Sequence, residues 1–298
     1  TFLGLPRCRD LGVLEAEIAV LGAPVATPYP ALGAYAAAAP GAIRAAAADW
    51  AGALGHHDLE LGGPLLPAGV RAVDCGDLPG NPADPPANRA RIEAAIGAIL
   101  AAGAVPVVLG GDDSVPYPVF RAFAGRGRFT VVQIDAHIDW RDEVGGERLG
   151  LSSTMRRASE MPWIERIVQV GARGVGSARP ADHRDALASG VHFFTARAVH
   201  ERGIGPVLEA IPEGAEVLLT LDCDGLDPSL MPAVIGPLPG GLDYWQVAGL
   251  IEGVARRARI ACFDCVELMP ARDRGGLGAL TAARLTALAI GHIARAAG

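Results

Sequence analysis

Lysine is absent from the 298-residue sequence; all 26 of its basic residues are arginine. That removes Schiff-base chemistry on lysine, a pyridoxal-phosphate anchor and a Walker A phosphate loop. Cysteine is scarce. Cys8, Cys75, Cys223, Cys262 and Cys265 are too few and too scattered for a disulfide scaffold. Cys262 and Cys265 have CxxC spacing, but no second pair accompanies them and they lie in a strand-like run, so they read as core. An excess of positive charge is also missing: 26 basic against 33 acidic residues give a net charge of −7. A nucleic-acid partner with its basic footprint is therefore not expected. No run reaches ~18 consecutive apolar residues, so no membrane-spanning helix is expected. The first residues lack the charged-then-apolar pattern of a secretory leader, and a reducing cytoplasm is the expected location. The chain opens on Thr1 rather than methionine, so residues upstream of it are expected.

What is present is apolar and regularly spaced. Half of the residues are hydrophobic (50%) and the mean hydropathy is +0.28, ample for a full core. Eight β-rich runs recur: Glu17–Gly22, Val70–Cys75, Pro106–Gly110, Phe129–Asp135, Arg166–Gly171, Val191–Thr195, Glu216–Asp222 and Arg259–Glu267. Helical stretches lie between most of them, at Asn88–Ala102, Val115–Phe123, Asp182–Ser189, Pro206–Ile211 and Tyr244–Arg257, with Thr281–Ala297 closing the chain. Pro40 followed by Gly-Ala-Ile-Arg reads as a further helix start. Strands alternating with helices predict βαβ units and a parallel sheet. Near-continuous apolar strands such as Val217–Leu221 predict burial on both faces. With no internal repeat or long linker, residues 1–298 read as a single domain.

The chemistry sits at strand ends, where open α/β sheets bind ligands. Phe129–Asp135 runs into Asp135-Ala136-His137-Ile138-Asp139, and Glu216–Asp222 into Asp222-Cys223-Asp224-Gly225-Leu226-Asp227-Pro228. In extended backbone the alternate polar residues would point one way, with Cys223 turned aside. Pro106–Gly110 runs into Gly110-Gly111-Asp112-Asp113-Ser114. Each motif alone has a plainer reading, a polar turn or a helix cap. Together they bring acidic strand ends into one sheet, where carboxylates would repel strongly unless divalent cations compensate them. One imidazole among carboxylates suits a hard or borderline metal such as manganese.

These motifs resemble those of the ureohydrolases, the arginase and agmatinase family. The resemblance covers nearly the full length. Asp135–Asp139 reads as that family's DAHxD motif, and Asp222–Pro228 as its DxDxxDP motif. Val20–Pro24, Pro40–Arg44, Asp74–Asp77, Pro239–Leu242 and Val266–Pro270 match further segments. The resemblance implies a three-layer α/β/α fold around an eight-stranded parallel sheet, and two Mn(II) ions sharing an activated hydroxide. Ni(II) is the alternative, since both metals accept oxygen and imidazole ligands. By position, Asp135 and Asp222 would bridge the metals, Asp113 and Asp139 would complete one, and His137 and Asp224 the other. Glu267 would receive a substrate guanidinium group, and Asp139, Glu267 and Ser152 form the implied catalytic set. The implied reaction is agmatinase-like, releasing urea and an amine from a small cationic guanidino compound. A homo-oligomer, trimer or hexamer, is implied as well.

Three departures stand out. Asp113 occupies a position that is usually histidine. An aspartate oxygen and an imidazole Nδ1 each lie one bond from Cγ, so the same backbone could present either. The carboxylate adds a negative charge, leaving five carboxylates against two dications, which favours harder metals and cationic substrates. The alternative is that Asp113 only caps a helix. Ser152 stands where many members have a proton-shuttling histidine. Serine cannot shuttle protons near neutral pH, although it can order a water; Glu143 and Glu147 are candidate substitutes. His56, His57, His183, His192, His200 and His292 read as structural or surface residues, and Arg156 and Arg157 as ion-paired helix residues or, alternatively, contacts for a substrate carboxylate. Finally, Val234 and Ile235 replace a Gly/Thr-rich loop and predict a more apolar pocket, for a shorter or alkylated guanidine or an amidine rather than arginine. The competing readings are a non-catalytic paralogue assembling with an active subunit, and a single-zinc amide hydrolase resembling the deacetylase branch of the fold. Asp139 and Asp224 favour two metals over one.

Overall fold

The computed structural model describes residues 1–297. Its eight strands are β1 (Ile18–Ala23), β2 (Ala72–Asp77), β3 (Val105–Gly110), β4 (Phe129–Ile134), β5 (Ile164–Val170), β6 (His192–Phe194), β7 (Glu216–Asp222) and β8 (Arg259–Val266). They form one sheet in the order β2-β1-β3-β8-β7-β4-β5-β6. Every adjacent pair is parallel. All eight expected runs are strands, with ends moved by a residue or two.

The strands read as apolar runs because both faces are covered. Along β1, Ile18 and Val20 enter one core while Ala19 and Leu21 enter the other. Along β7, Val217, Leu219 and Leu221 face the first core and Leu218 the second. Helices α1 (Ala39–Ala46), α6 (Ala196–Arg202), α7 (Gly205–Glu209), α8 (Tyr244–Arg257) and α9 (Leu277–Ala297) cover the first face. Helices α2 (Pro85–Ala101), α3 (Pro116–Arg121), α4 (Thr154–Ser159) and α5 (Pro180–Ala188) cover the second. The result is the expected three-layer α/β/α architecture.

Local chemistry sets the boundaries. Asp243 and Gln246 form a reciprocal capping box that starts α8 where the sequence predicts it. α6 falls outside the predicted helices, and α4 is anticipated only through Arg156 and Arg157; at seven and six residues the two are too short for a legible apolar period. α9 is long and apolar enough to cross a bilayer by composition, a feature that Arg284, His292 and Arg295 mask in a count of consecutive apolar residues. In the fold, 78% of its apolar window is buried, as befits a core helix.

The order of the sheet has one consequence for the site. β3, β8, β7 and β4 are its four central neighbours, and each carries one of the singled-out segments at its C-terminal end. Asp113, Glu267, Asp222–Asp224 and Asp135–Asp139 are thereby delivered to one edge.

Candidate active site

Two groups of potential metal ligands form at this edge. Asp135, His137 and Asp224 bring one ligand atom each within 4.8 Å of one another, and Asp113, Asp135 and Asp222 do the same. Asp135 belongs to both. A cavity of about 180 Å³ opens above them, lined by Asp113, His137, Asp139, Ser152, Asp222, Asp224 and Glu267 among others. Every sequence-predicted site residue is therefore either in a ligand group or on the cavity wall. The structure brings the whole set together.

The route by which they converge differs from the expectation. β4 ends at Ile134, so Asp135, His137 and Asp139 do not project from extended backbone. A turn gathers them. Asp135 Oδ1 accepts the His137 N–H at 2.5 Å, and Asp224 Oδ1 accepts the Ala136 N–H at 3.0 Å. Asp139 then adopts φ 45°, a left-handed backbone that costs a non-glycine residue energy and persists at sites held by their surroundings. Asp224 likewise sits in a 3-10 turn, Cys223–Gly225, stabilised by Asp222 Oδ1 accepting the Asp224 N–H at 2.7 Å. Gly225 is required there, because a Cβ would lie 2.9 Å from the Asp135 backbone nitrogen. Gly111 is required at the end of β3, where a Cβ would meet the Pro24 carbonyl oxygen at 2.2 Å.

The two acidic residues after β3 divide their work. Asp112 Oδ1 accepts the Ser114 N–H at 3.0 Å and the Ser114 hydroxyl, and so closes a local turn ahead of α3. Both carboxyl oxygens of Asp113 are buried and have no hydrogen-bond partner among the described residues. Asp113 is thus not a helix cap. A buried carboxyl with neither donor nor cation is costly. Burial, together with the charges of Asp139 and Asp135, holds Asp113 well above the ordinary carboxylate range. Burial and neighbouring carboxylates do the same to Asp135 and Asp222. His137 behaves oppositely. Burial would depress its imidazole, but Asp135 and Asp224, the latter 3.0 Å from Nδ1, outweigh that and push it up. The chemistry of this donor set, acidic oxygens with one imidazole and one orphaned carboxyl, fits a pair of divalent cations.

Glu267 directly follows β8 at φ 68°, with its N–H donated to the Gly111 carbonyl at 2.8 Å. Its Oε1 accepts the Asp113 N–H at 2.8 Å and the Tyr35 hydroxyl. Oε2 has no protein donor among the described residues. Burial and Asp112 raise the Glu267 carboxyl to about 8. Asp227, the last acid of its motif, works in the backbone: Oδ2 accepts the N–H groups of Gly240 and Gly241, tying the Pro239–Leu242 loop to the strand end.

Other expectations need correction. Val234 is buried in the core and does not line the cavity; only Ile235 of that pair does. Glu143 and Glu147 are not on the cavity wall, and Glu147 Oε1 instead accepts the Leu149 N–H in a local turn. Neither is placed to replace a shuttle. Arg156 and Arg157 pair with Asp142, Asp185 and Glu160, as helix residues do. Among the described residues, His137 is the single imidazole on the cavity wall. Cys262 and Cys265 are free and buried in β8, as core residues are, and Cys265 Sγ lies 3.7 Å from Cys223 Sγ. Sequence reasoning passed over Tyr35, and also Arg141, which lines the cavity mouth with its guanidinium 3.2 Å from Asp182. An arginine two residues after an acidic motif was the available signal for the latter.

An α/β sheet with acidic ligand groups at its C-terminal edge defines a class of metal-binding enzyme-like folds, and comparison narrows it. Residues 16–291 match the Arginase family, and the chain belongs to that family. N(1)-aminopropylagmatine ureohydrolase of Thermus thermophilus is 40% identical over 198 residues, 64% of this chain and 64% of the relative. Guanidinobutyrase of Pseudomonas aeruginosa is 33% identical over 193 residues, 63% of this chain and 60% of the relative. The aligned segment thus spans less than two thirds of either relative. In structure, proclavaminate amidino hydrolase from Streptomyces clavuligerus aligns over 99% of this chain and 97% of its own, with a TM-score of 0.83 and 27% identity.

Proposed function

We propose that the chain is a binuclear metal-dependent amidinohydrolase that adds water across a C–N bond of a small guanidino compound, giving urea and an amine. The observation that carries this reading is Asp113: two buried, unpartnered carboxyl oxygens inside a ligand group. Asp135 and Asp222 would lie between the two metals, Asp113 and Asp139 would complete one site, and His137 and Asp224 the other. Two such cations lower the pKa of a shared water and supply hydroxide at neutral pH. Mn(II) is the metal proposed, because oxygen ligands dominate the set.

The protein's own groups do the rest. Glu267 is held through Oε1 by the Asp113 amide and Tyr35, which leaves Oε2 to accept a guanidinium N–H. An arriving cation favours the ionised form of this carboxyl against the burial that raises it. Ser152, on the cavity wall, would order a water for proton exchange with solvent. The cavity of about 180 Å³ is small, which supports a short guanidine over arginine. The paired Arg141 and Asp182 at its mouth would meet the tail of the substrate. The family resemblance supports a trimeric or hexameric homo-oligomer, and five free cysteines support a reducing, cytoplasmic location.

The test is urea release by Mn(II)-loaded protein across a panel of guanidino compounds of increasing tail length. Turnover that is best on short guanidines is expected; arginine or agmatine as the clearly best substrate would contradict the assignment of substrate size. Ser152 in the shuttle position favours one second reading, a non-catalytic paralogue. Two bound metals without urea release from any member of the panel would select it.

A further inference from the structure

Beneath the ligand groups lies a buried row of polar side chains that the mechanism does not use. Gln169 on β5, Gln133 on β4, Thr220 on β7 and Asp264 on β8 are register neighbours across four strands. All four are at most 1% exposed in an otherwise apolar layer. Buried polar groups are retained at a cost unless they are satisfied, so the direction of their hydrogen bonds is informative.

The two amides point at the site. Gln133 Nε2 donates to Asp135 Oδ2 at 2.6 Å and to Asp139 Oδ2 at 2.6 Å. Its Oε1 accepts Gln169 Nε2, which also donates to the Ile138 carbonyl at 2.9 Å. The geometry fixes both amide orientations: reversing either would set oxygen against oxygen. The two carboxylates depend on Gln133 unequally. Asp135 also accepts the His137 N–H, whereas Gln133 is the one donor to the Asp139 carboxyl among the described residues. Asp139 is also the residue held at φ 45°.

We propose that Gln133, backed by Gln169, is a positioning residue that holds the carboxyl of Asp139 for the metal site completed by Asp113. This rests on the binuclear reading above. The logic is local. The Asp113 half of the site is all carboxylate, so its members repel and would splay without a donor between them. A neutral amide with two N–H groups aims at two of those carboxyls without displacing a cation, as outer-shell partners of metal ligands commonly do. A lysine or arginine in its place would compete with the metal for the same charge.

The experiment is calorimetric titration of the metal-free protein with Mn(II), paired with electron paramagnetic resonance of the loaded protein. The chains compared are the wild type, Gln133→Met and, as a milder change, Gln169→Met. The wild type is expected to bind two ions with an exchange-coupled signal. Gln133→Met is expected to weaken one of the two by about 10- to 100-fold, leave the other within about threefold, and convert the coupled signal to that of an isolated ion. Gln169→Met should weaken the same ion by less. A merely structural role would lower thermal stability without singling out one ion. Two unchanged affinities and a coupled signal in both variants, or in Gln169→Met alone if Gln133→Met does not fold, would overturn the inference while leaving the binuclear reading intact. A wild type that binds no Mn(II) would overturn both.

Discussion

The two halves of the candidate metal centre share Asp135 but differ in how they bear their charge. In the half formed with His137 and Asp224, an imidazole lies between carboxyls, and its raised proton affinity offsets their repulsion. Among the described residues, the half formed with Asp113 and Asp222 contains no positive group, and the Asp113 carboxyl has no hydrogen-bond donor either. One half can thus be stable when empty. The other is held by backbone and by the Gln133 amide against its own repulsion. The comparison teaches that the half without an imidazole leaves the charge of Asp113 with no compensating group from the described residues.

The comparison can be broken most severely at the shared residue. Asp135→Asn should drop metal content below one ion per chain by elemental analysis. It should also cut urea release by about a thousand-fold or more, roughly 4 kcal/mol in barrier. Removing the substrate anchor should spare the metals. Glu267→Gln is expected to retain both ions while lowering kcat/KM by about 100-fold, read from steady-state kinetics. Making the halves alike is milder. Asp113→His should keep two ions but shift preference from Mn(II) toward Ni(II) or Co(II) by about tenfold in a competition titration.

The smallest effect concerns a buried carboxyl outside both halves. Asp264 accepts one hydrogen bond, from Thr220, and burial pushes it up to about 7. The folded protein therefore keeps a proton that the unfolded chain releases above about pH 4. The stability contributed by Asp264 is present below that pH and is lost as pH rises through about 7. Asp264→Asn escapes this loss, worth at most roughly 4 kcal/mol, but its amide inherits the unpartnered position of Oδ2 at about 1–3 kcal/mol. The variant should be less stable than the parent near pH 4 and more stable by about 1 kcal/mol near pH 8, measured by urea denaturation. A stability difference that does not change with pH would contradict the raised proton affinity of Asp264.

Much of the fold was legible because burial on both faces leaves a strong imprint. Runs such as Val217–Leu221 are apolar but for Thr220, and their ends are marked by acidic or glycine residues. Short helices were illegible where fewer than two turns carry too little period, as in α4 and α6. At the site, the motifs put the right residues on four strand ends, but the alternation argument misjudged the path. Asp135 and Asp139 meet through a turn and a left-handed residue, and no local pattern announces a positive φ at an aspartate. Whether Asp113 caps a helix could not be read from Gly-Gly-Asp-Asp-Ser, because Asp112 and Asp113 are equivalent in sequence and only the fold gives the local turn to Asp112 and leaves Asp113 unpartnered. Gln133 and Gln169 left a faint signal, a single amide in each of two apolar strands. Their common register became visible only when β4 and β5 paired.

The most direct test of the account is the number of Mn(II) ions per chain, by elemental analysis after loading and dialysis, in the wild type and in Asp113→Asn. About two ions in the wild type and about one in the variant are predicted. One ion or none in the wild type, or two retained in Asp113→Asn, would contradict the claim that Asp113 is a working ligand in the all-carboxylate half.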